Sequence, residues 1–297
     1  MQNGSGYITL GDGVRLYFQI VGTGAKAVAI PNGFCFIDDF KLLGDSRTLI
    51  FYDVRNRGRS DPVSEVAKLE RGIHQDVDDL DAVLRHFGID QPDLIGHSYI
   101  GLMVGLYAMR YPDRVGRVVQ IGPAQPDAAK QYPGPLSCVD RVFSDTMAEI
   151  AQMMKDPPSG RPEEACKRFW SVLRAIYVAD PKDAARIDWG RCDLPNERNF
   201  RQYWINHLWP SIQSLRLTAE DFAQASAPVL IVHGNKDRSA PYGGGRDWAT
   251  RLPDARLVTV ENAAHAPWIE APELVFGSIA AFFDGAWPSE AEKVRSL

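Results

Sequence analysis

The sequence predicts an α/β protein built on a mostly parallel sheet with helices on both faces. Short apolar runs, such as residues 27–30 and 49–54, are typical of strands buried on both faces of a sheet. These runs alternate with segments of helical periodicity, and such alternation produces mostly parallel sheets. The composition agrees, because 45% hydrophobic and 24% charged residues are ordinary values for a globular protein.

Each element has its own signal. The chain begins with a predicted β-hairpin, in which residues 7–10 and 14–21 flank a Gly-Asp-Gly turn. Residues 73–87 form a predicted amphipathic helix with one apolar stripe, and residues 99–110 form an almost wholly apolar helix that should pack against the sheet. The other predicted strands are 27–30, 49–54, 92–96, 117–121, 228–232 and 256–260, and the other predicted helices are 246–252 and 272–283.

Residues 123–227 interrupt this alternation. They contain half of the 20 prolines and four of the seven tryptophans, and helical stretches are predicted around 144–154, 163–178 and 199–209. The sequence therefore predicts one catalytic core, formed by residues 1–122 and 228–297, with a mainly helical cap inserted at 123–227.

Charge and composition exclude several classes of function. The net charge of −5 and the lack of a basic block argue against a nucleic-acid partner. The apolar runs are far shorter than the ~20 residues of a membrane span. Without a secretory signal or a CxxC pair, the four cysteines are expected to be reduced thiols in a cytoplasmic protein. Nothing in the sequence indicates the oligomeric state.

No cofactor is expected either. The chain has no HExxH or CxxC motif for a metal, and no GxGxxG or GxxxxGK loop for a nucleotide phosphate. The expected partner is therefore a small-molecule substrate, with no metal, nucleotide or flavin.

Three polar residues follow three predicted strands in an order that indicates nucleophilic catalysis. Ser98 lies between a strand and the apolar helix, on a turn that would expose its hydroxyl group. Asp237 and His265 follow two later strands, and the carboxyl ends of parallel strands share one edge of a sheet. A serine needs a base, and a base needs an orienting carboxylate. The amide of Tyr99, next to the serine, is placed to stabilise an oxyanion.

These segments resemble the α/β-hydrolase superfamily, in its capped serine-nucleophile branch of esterases and lactonases. The resemblance covers essentially the whole chain and implies the α/β-hydrolase fold. The matching motifs are PNGF at 31–34, YDVRNRGRSD at 52–61, GHSYIG at 96–101, HGNKD at 233–237 and NAAHAPWIEAP at 262–272. The resemblance implies that Ser98 is the nucleophile, His265 the base and Asp237 its orienting acid.

The resemblance also implies that the backbone amides of Phe34 and Tyr99 form the oxyanion hole. The chain departs from the family pattern at Ile100, where a small residue is usual, and at Asn32, where histidine is usual. The candidate substrate-pocket residues are Asn32, Cys35, Trp204, His207 and Trp268. His97 and His233 are interpreted as packing residues, and Asp53, Arg55 and Arg59 as braces of their turn.

The expected activity is hydrolysis of a small or medium carboxylic ester through an acyl-serine intermediate. The same triad could act on a lactone, an N-terminal amino-acid amide or a carbon–carbon bond beside a ketone. An aminopeptidase of this type usually has an acidic residue in the cap for the substrate amine, and Glu163, Glu164 and Glu197 are the candidates. A non-catalytic receptor for a small ligand is the alternative of a different class.

Overall fold

The computed structural model describes residues 1–155, 161–189 and 191–295. Within these residues, eight strands form one sheet in the order β1-β2-β4-β3-β5-β6-β7-β8. The strands are β1 (Gly4–Thr9), β2 (Arg15–Val21), β3 (Lys26–Pro31), β4 (Arg47–Tyr52), β5 (Asp93–His97), β6 (Val118–Ile121), β7 (Val229–Gly234) and β8 (Ala255–Val260).

The sheet is mostly parallel, as predicted. The first two strands form an antiparallel hairpin in which Tyr7 pairs with Tyr17, and β2 is also antiparallel to β4. All the other neighbouring pairs, from β4 through β3 to β8, are parallel. The loops that follow these parallel strands therefore meet at one edge of the sheet, where α/β proteins form their sites.

Helices cover both faces of the sheet. The helices of the described residues are α1 (Gly33–Phe40), α2 (Ile73–His86), α3 (Tyr99–Arg110), α4 (Gly134–Ser137), α5 (Arg141–Lys155), α6 (Pro162–Leu173), α7 (Pro195–Tyr203), α8 (Trp209–Ser214), α9 (Ala219–Gln224), α10 (Tyr242–Arg251), α11 (Pro267–Glu270) and α12 (Pro272–Phe283). A π-helical turn, Trp204–Leu208, joins α7 to α8. The α/β fold class is confirmed.

The core consists of two apolar layers on either side of the sheet. Consecutive residues of β7 contribute to them alternately, Val229 and Ile231 to one layer and Leu230 and Val232 to the other. The first layer includes apolar residues of α2, α3 and α10, and the second includes those of α1 and α12. Strands buried on both faces explain the apolar runs of the sequence.

Two of the helices that differ from the prediction pack beside the sheet. The helix α1 was not predicted, because Gly33–Phe40 is rich in aromatic residues and has no capping side chain at its start. The helix α10 begins at Tyr242 rather than at Arg246, since three consecutive glycines in its first turn suppress the helical signal. Gly245 is required there, because a Cβ atom would lie 2.2 Å from the ring of His233.

The described residues between β6 and β7 contain helices and no strand. One prediction about these residues is corrected by the structure, because Cys166 of α6 and Cys192 form a disulfide bond. The prediction of four reduced cysteines is therefore wrong for this pair, while Cys35 and Cys138 are free. The two cysteines are separated by 26 residues in the sequence, and this separation does not reveal how close they come in the fold. Their Cα atoms lie 5.8 Å apart.

Candidate active site

Ser98 lies in the tight turn between β5 and α3. Its backbone angles, φ 59° and ψ −127°, fall in a region that residues with a side chain rarely adopt. Gly96 permits this turn, because a Cβ atom there would lie 2.4 Å from the carbonyl oxygen of Ile100. Ser98 is partly exposed while His97 and Tyr99 are buried. The strained turn therefore presents the serine side chain at the edge of the sheet.

Ile100 stands where the family pattern has a small residue, and the fold accommodates it in the core. Its side chain is fully buried in the apolar layer that contains α2 and α3. The nearby glycine, Gly101, packs closely against Pro123, which a Cβ atom would approach to 3.0 Å. The isoleucine thus leaves the turn intact, and α3 begins at Tyr99 as predicted.

A carboxylate and an imidazole meet in the loops that follow β7 and β8. Nδ1 of His265 lies 2.7 Å from Oδ2 of Asp237, and both side chains are fully buried. Because Asp237 accepts this hydrogen bond, Nδ1 carries the proton and Nε2 is left as an acceptor. Nε2 is buried and has no hydrogen-bond partner among the residues that the structure describes. An imidazole in this tautomer can serve as a general base.

Asp237 is held by four hydrogen-bond donors. The amides of Ser239 and Ala240 both donate to Oδ1 at 2.8 Å. Nε2 of His233 lies 3.1 Å from Oδ2 and also 3.1 Å from the carbonyl oxygen of Ala240, so this nitrogen carries a proton. Burial by itself raises the pKa of Asp237, but the electrostatic interaction with His265 and the hydrogen bonds from the two imidazoles hold that pKa below its usual range.

The interpretation of His233 as a packing residue therefore missed its contact with Asp237. The only signal in the sequence was its position, four residues before Asp237 and near the end of β7. His97 lies beneath the turn as expected, and its Nε2 is 2.8 Å from the carbonyl oxygen of His265. Burial and the electrostatic interaction with His265 hold the pKa of His97 well below its usual value, so its ring is neutral.

The backbone amides of Tyr99 and Phe34, the two residues assigned to the oxyanion hole, differ in their hydrogen bonding. Tyr99 is the first residue of α3, where backbone amides lack partners within the helix. The amide of Phe34, in contrast, donates to Oδ1 of Asp53 at 2.8 Å. Asp53 is fully buried and draws donors from Phe34 and Arg59. The expectation of a free Phe34 amide is therefore not met in this structure.

Three of the candidate pocket residues, Asn32, Trp204 and Cys35, lie near the turn that contains Ser98. Nδ2 of Asn32 is 3.4 Å from the hydroxyl group of Tyr99, and the ring of Trp204 is 5.5 Å from the ring of Tyr99. Cys35 lies in the first turn of α1, which follows Asn32, and burial raises the pKa of its thiol well above the usual value. Such a thiol is protonated and a poor nucleophile.

The other two candidates pack elsewhere. Trp268 lies 5.0 Å from the ring of His97 and donates to Oδ2 of Asp39, so it forms a wall beneath the histidines. His207 lines a surface groove with His74 and Arg110 at the start of α2. The lining of this groove includes none of Ser98, Asp237 and His265, so His207 lies apart from them.

Sequence reasoning also missed residues that surround the histidines. The ring of Tyr177, from the segment between β6 and β7, lies 4.9 Å from the ring of His265, and Trp189 lies 5.6 Å from that of His97. These aromatic contacts come from the predicted cap and were not recognisable as motifs. They exclude water around the imidazole and strengthen its interaction with Asp237.

A buried ion pair was missed as well. Arg57 donates from Nε and Nη2 to the carboxylate of Glu197 at 2.9 and 3.0 Å. Glu197 was a candidate for binding a substrate amine, and this pairing occupies it. The other two candidates, Glu163 and Glu164, pair with Lys167 and Arg161 at the surface.

The described part of the chain offers neither a metal-binding cluster nor a membrane-spanning helix. Residues 1–155, 161–189 and 191–295 contain no group of three or more metal-ligating side chains of the His, Cys, Asp and Glu types. No helix in the same part of the chain has the length and apolar character needed to span a membrane.

Comparison with known proteins identifies relatives of several activities. A sequence profile described as the alpha/beta hydrolase fold matches residues 35–272. A proline iminopeptidase of Pestalotiopsis fici is 25% identical, over 82% of this chain and 84% of its own. A bifunctional esterase/perhydrolase of Acinetobacter calcoaceticus is 24% identical, over 93% of this chain and 99% of its own.

A solved structure has the same fold. The 2-hydroxy-6-oxo-6-phenylhexa-2,4-dienoate hydrolase of a Rhodococcus strain superposes with a TM-score of 0.74 at 16% identity. The match covers 96% of this chain and 99% of that one. At this identity the likeness concerns the fold.

Proposed function

The chain belongs to the alpha/beta hydrolase fold family, and we propose that it is a serine hydrolase that cleaves a small or medium carboxylic ester. The observation that carries the proposal is the arrangement at one edge of the sheet. The strained turn at Ser98 and the buried pair of His265 and Asp237 follow parallel strands of the same sheet. Backbone strain at a partly exposed serine is typical of a functional site, and a serine nucleophile needs a base such as His265.

In the proposed mechanism, Oγ of Ser98 attacks the ester carbonyl carbon while Nε2 of His265 takes its proton. The tetrahedral intermediate collapses, the bond to the alcohol oxygen breaks, and His265 returns the proton to the leaving alcohol. Water then attacks the acyl-serine, with His265 again accepting and returning a proton. Asp237 holds His265 in the required tautomer and stabilises its charged form. Because Nε2 of His265 has no hydrogen-bond partner among the described residues, its hydrogen bond to Oγ of Ser98 would form when substrate binds.

The amide of Tyr99 is proposed as the first oxyanion donor, because it points from the start of α3 toward the developing charge. The amide of Phe34 would join it only in a state in which Asp53 releases this amide. Loss of a single donor of this kind typically costs ~10²–10³ in rate.

We also propose that residues 1–122 and 228–297 form the catalytic core and that residues 123–227 form a cap over it. This proposal is supported by the contacts of Tyr177 and Trp189 with the histidines and by the contact of Trp204 with Tyr99. The rings of Tyr177 and Trp204, which lie beside His265 and Tyr99, favour a partly apolar acyl or alcohol group.

An ester is preferred over an amino-acid amide for an electrostatic reason. An aminopeptidase needs a carboxylate that is available to the substrate ammonium group. The three acidic candidates, Glu163, Glu164 and Glu197, each pair with a cation of this chain. Lactones and carbon–carbon bonds beside a ketone remain alternatives for the same triad. A panel of esters of graded acyl length, lactones, amino-acid amides and such ketones would rank them by kcat/KM.

The test of the proposed function is the Ser98→Ala variant. It should lose hydrolysis of short p-nitrophenyl esters by at least ~10³-fold and should lose labelling by a fluorophosphonate, because no other group replaces the nucleophile. The exposed Ser289 provides the matched control, and Ser289→Ala should keep both activities. Unchanged turnover and labelling in Ser98→Ala would refute the proposal. A ligand that raises the melting temperature without turnover would favour a receptor.

A further inference from the structure

A buried ion pair joins the residues after β4 to the helix α7. The guanidinium of Arg57 donates two parallel hydrogen bonds to the carboxylate of Glu197. The side chains are only 5% and 1% exposed, so neither charge is solvated by bulk water. Burial opposes the charge of Arg57, yet the carboxylate of Glu197 holds the pKa of the guanidinium above its usual value. Such a pair is stable only while both partners remain in place.

The same turn of α7 makes further contacts with the same loop. The amide of Gly58 donates to Oε1 of Glu197 at 3.2 Å, so this carboxylate accepts three hydrogen bonds from residues 57 and 58. Nδ2 of Asn196 donates to the carbonyl oxygen of Ser60. The start of α7, which lies in the proposed cap, is therefore fixed to this loop by polar contacts from two consecutive residues.

Arg57 contacts both residues assigned to the oxyanion hole. Its guanidinium carbon lies 4.9 Å from the centre of the Phe34 ring, in a cation–π arrangement. It also hydrogen-bonds the hydroxyl group of Tyr99, which receives a second hydrogen bond from Asn32. Phe34 and Tyr99 are thus touched on their side chains by one cation, and that cation is held from the other side by Glu197.

An ion pair with only a structural role would not need these contacts. The chain contains such a pair two residues earlier, where Arg55 donates to the carboxylate of Asp79 at 2.8 and 2.9 Å. Arg55 is also fully buried, but its other ion-pair partner is Asp12, and no contact with Phe34 or Tyr99 accompanies it in the described residues. The two pairs share geometry and burial and differ in what the cation touches.

We propose that Arg57 is a positioning residue through which Glu197 of the cap sets the oxyanion hole. Glu197 fixes the guanidinium, and the guanidinium fixes the side chains of Phe34 and Tyr99, whose backbone amides are the two donors proposed for the oxyanion hole. The cap then contributes to catalysis as well as to substrate selection. This inference rests on the proposed function, since an oxyanion hole has meaning only for acyl transfer.

The experiment compares Glu197→Gln with Asp79→Asn in the full chain. Glu197→Gln should lower kcat for a short p-nitrophenyl ester about 10-fold, a fraction of the ~10²–10³ that complete loss of one donor costs. The KM value should change less than about twofold, because the carbonyl charge develops only in the transition state. Asp79→Asn should lower the melting temperature about as much as Glu197→Gln does, but it should keep kcat within about twofold of wild type.

A second variant removes the dependence on whether Glu197→Gln folds. Tyr99→Phe deletes only the hydroxyl group that Arg57 contacts and keeps the backbone amide. It should lower kcat severalfold, and the double variant with Glu197→Gln should lose less than the product of the two single effects. A kcat within twofold of wild type in Tyr99→Phe, or an equal kcat loss in Asp79→Asn, would overturn the role of Arg57. An inactive wild type would instead contradict the proposed hydrolase itself.

Discussion

Two buried carboxyl groups in this protein have opposite acid–base properties. Asp237, in the loop after β7, is fully buried, and Asp76, in the first turn of α2, is 1% exposed. The pKa of Asp237 lies below its usual range, whereas that of Asp76 is raised well above it by burial and by the nearby charge of Asp79. Burial is common to both, so the difference comes from the donors around each group.

The donors differ because one group lies in a loop and the other in a helix. The loop after β7 has backbone amides that no regular structure uses, and Ser239 and Ala240 direct theirs at Asp237. The helix around Asp76 uses its own amides. Oδ1 of Asp76 receives one hydrogen bond from Tyr203 at 3.4 Å, and Oδ2 has no partner among the described residues. The buried negative charge of Asp237 therefore depends on the loop that follows β7.

The largest expected effect comes from removing the charge of Asp237. Asp237→Asn should lower kcat for the ester substrate by roughly 10⁴-fold, because His265 would lose the carboxylate that fixes its tautomer and stabilises its charged form. Steady-state kinetics on the purified variant, with circular dichroism to establish folding, would measure this. A folded variant within tenfold of wild type would contradict the assignment of Asp237.

A smaller effect is expected from removing one donor to the same carboxylate. His233→Phe should raise the pKa of Asp237 and make its carboxylate a stronger partner for the protonated His265. A more basic Asp237 stabilises the protonated form of His265, which cannot act as the base, so the acid limb of the kcat/KM profile should move to higher pH, with a loss of about 10-fold below neutrality.

The matched control is His233→Gln, whose amide can still donate an N–H group to Asp237. It should restore part of the lost activity and return the acid limb toward its wild-type position. If His233→Phe and His233→Gln have the same pH profile, the hydrogen bond has no part in setting the base.

The smallest effect is expected at Asp76 and concerns stability. Because its folded pKa is raised above the unfolded value, the stability that protonated Asp76 provides is complete below pH ~3.9 and decreases as pH rises toward the folded pKa. Asp76→Asn avoids this loss and should raise the melting temperature at pH 7 by about 2 °C, the shift that about 1 kcal/mol produces in a chain of this size.

Thermal unfolding at pH 3 and pH 7 would test this. The two proteins should melt together at pH 3, while the exposed Asp90 provides a control whose Asn variant should match wild type at both values. A lower melting temperature for Asp76→Asn at pH 7 would mean that this carboxyl group is ionised and paired.

Elements with strong local signals were predicted closely. The helices α3 and α12 occupy the predicted residues 99–110 and 272–283, because an apolar run after a turn and a proline at the start define their ends locally. The helix α1 and the first turn of α10 were missed. Their residues have poor intrinsic helical signals, and packing against the sheet overrides that weakness.

The fold class and the order Ser98, Asp237, His265 were predictable from the sequence, because strand and helix periodicity and the residues that follow each strand are local properties of the chain. Four contacts were not predictable: the pairing of Arg57 with Glu197, the disulfide bond, the hydrogen bond between His233 and Asp237, and the hydrogen bond from the Phe34 amide to Asp53. These contacts depend on side-chain directions and on distances between segments. The local sequence does not encode such distances, and folding sets them when both faces of the sheet are buried.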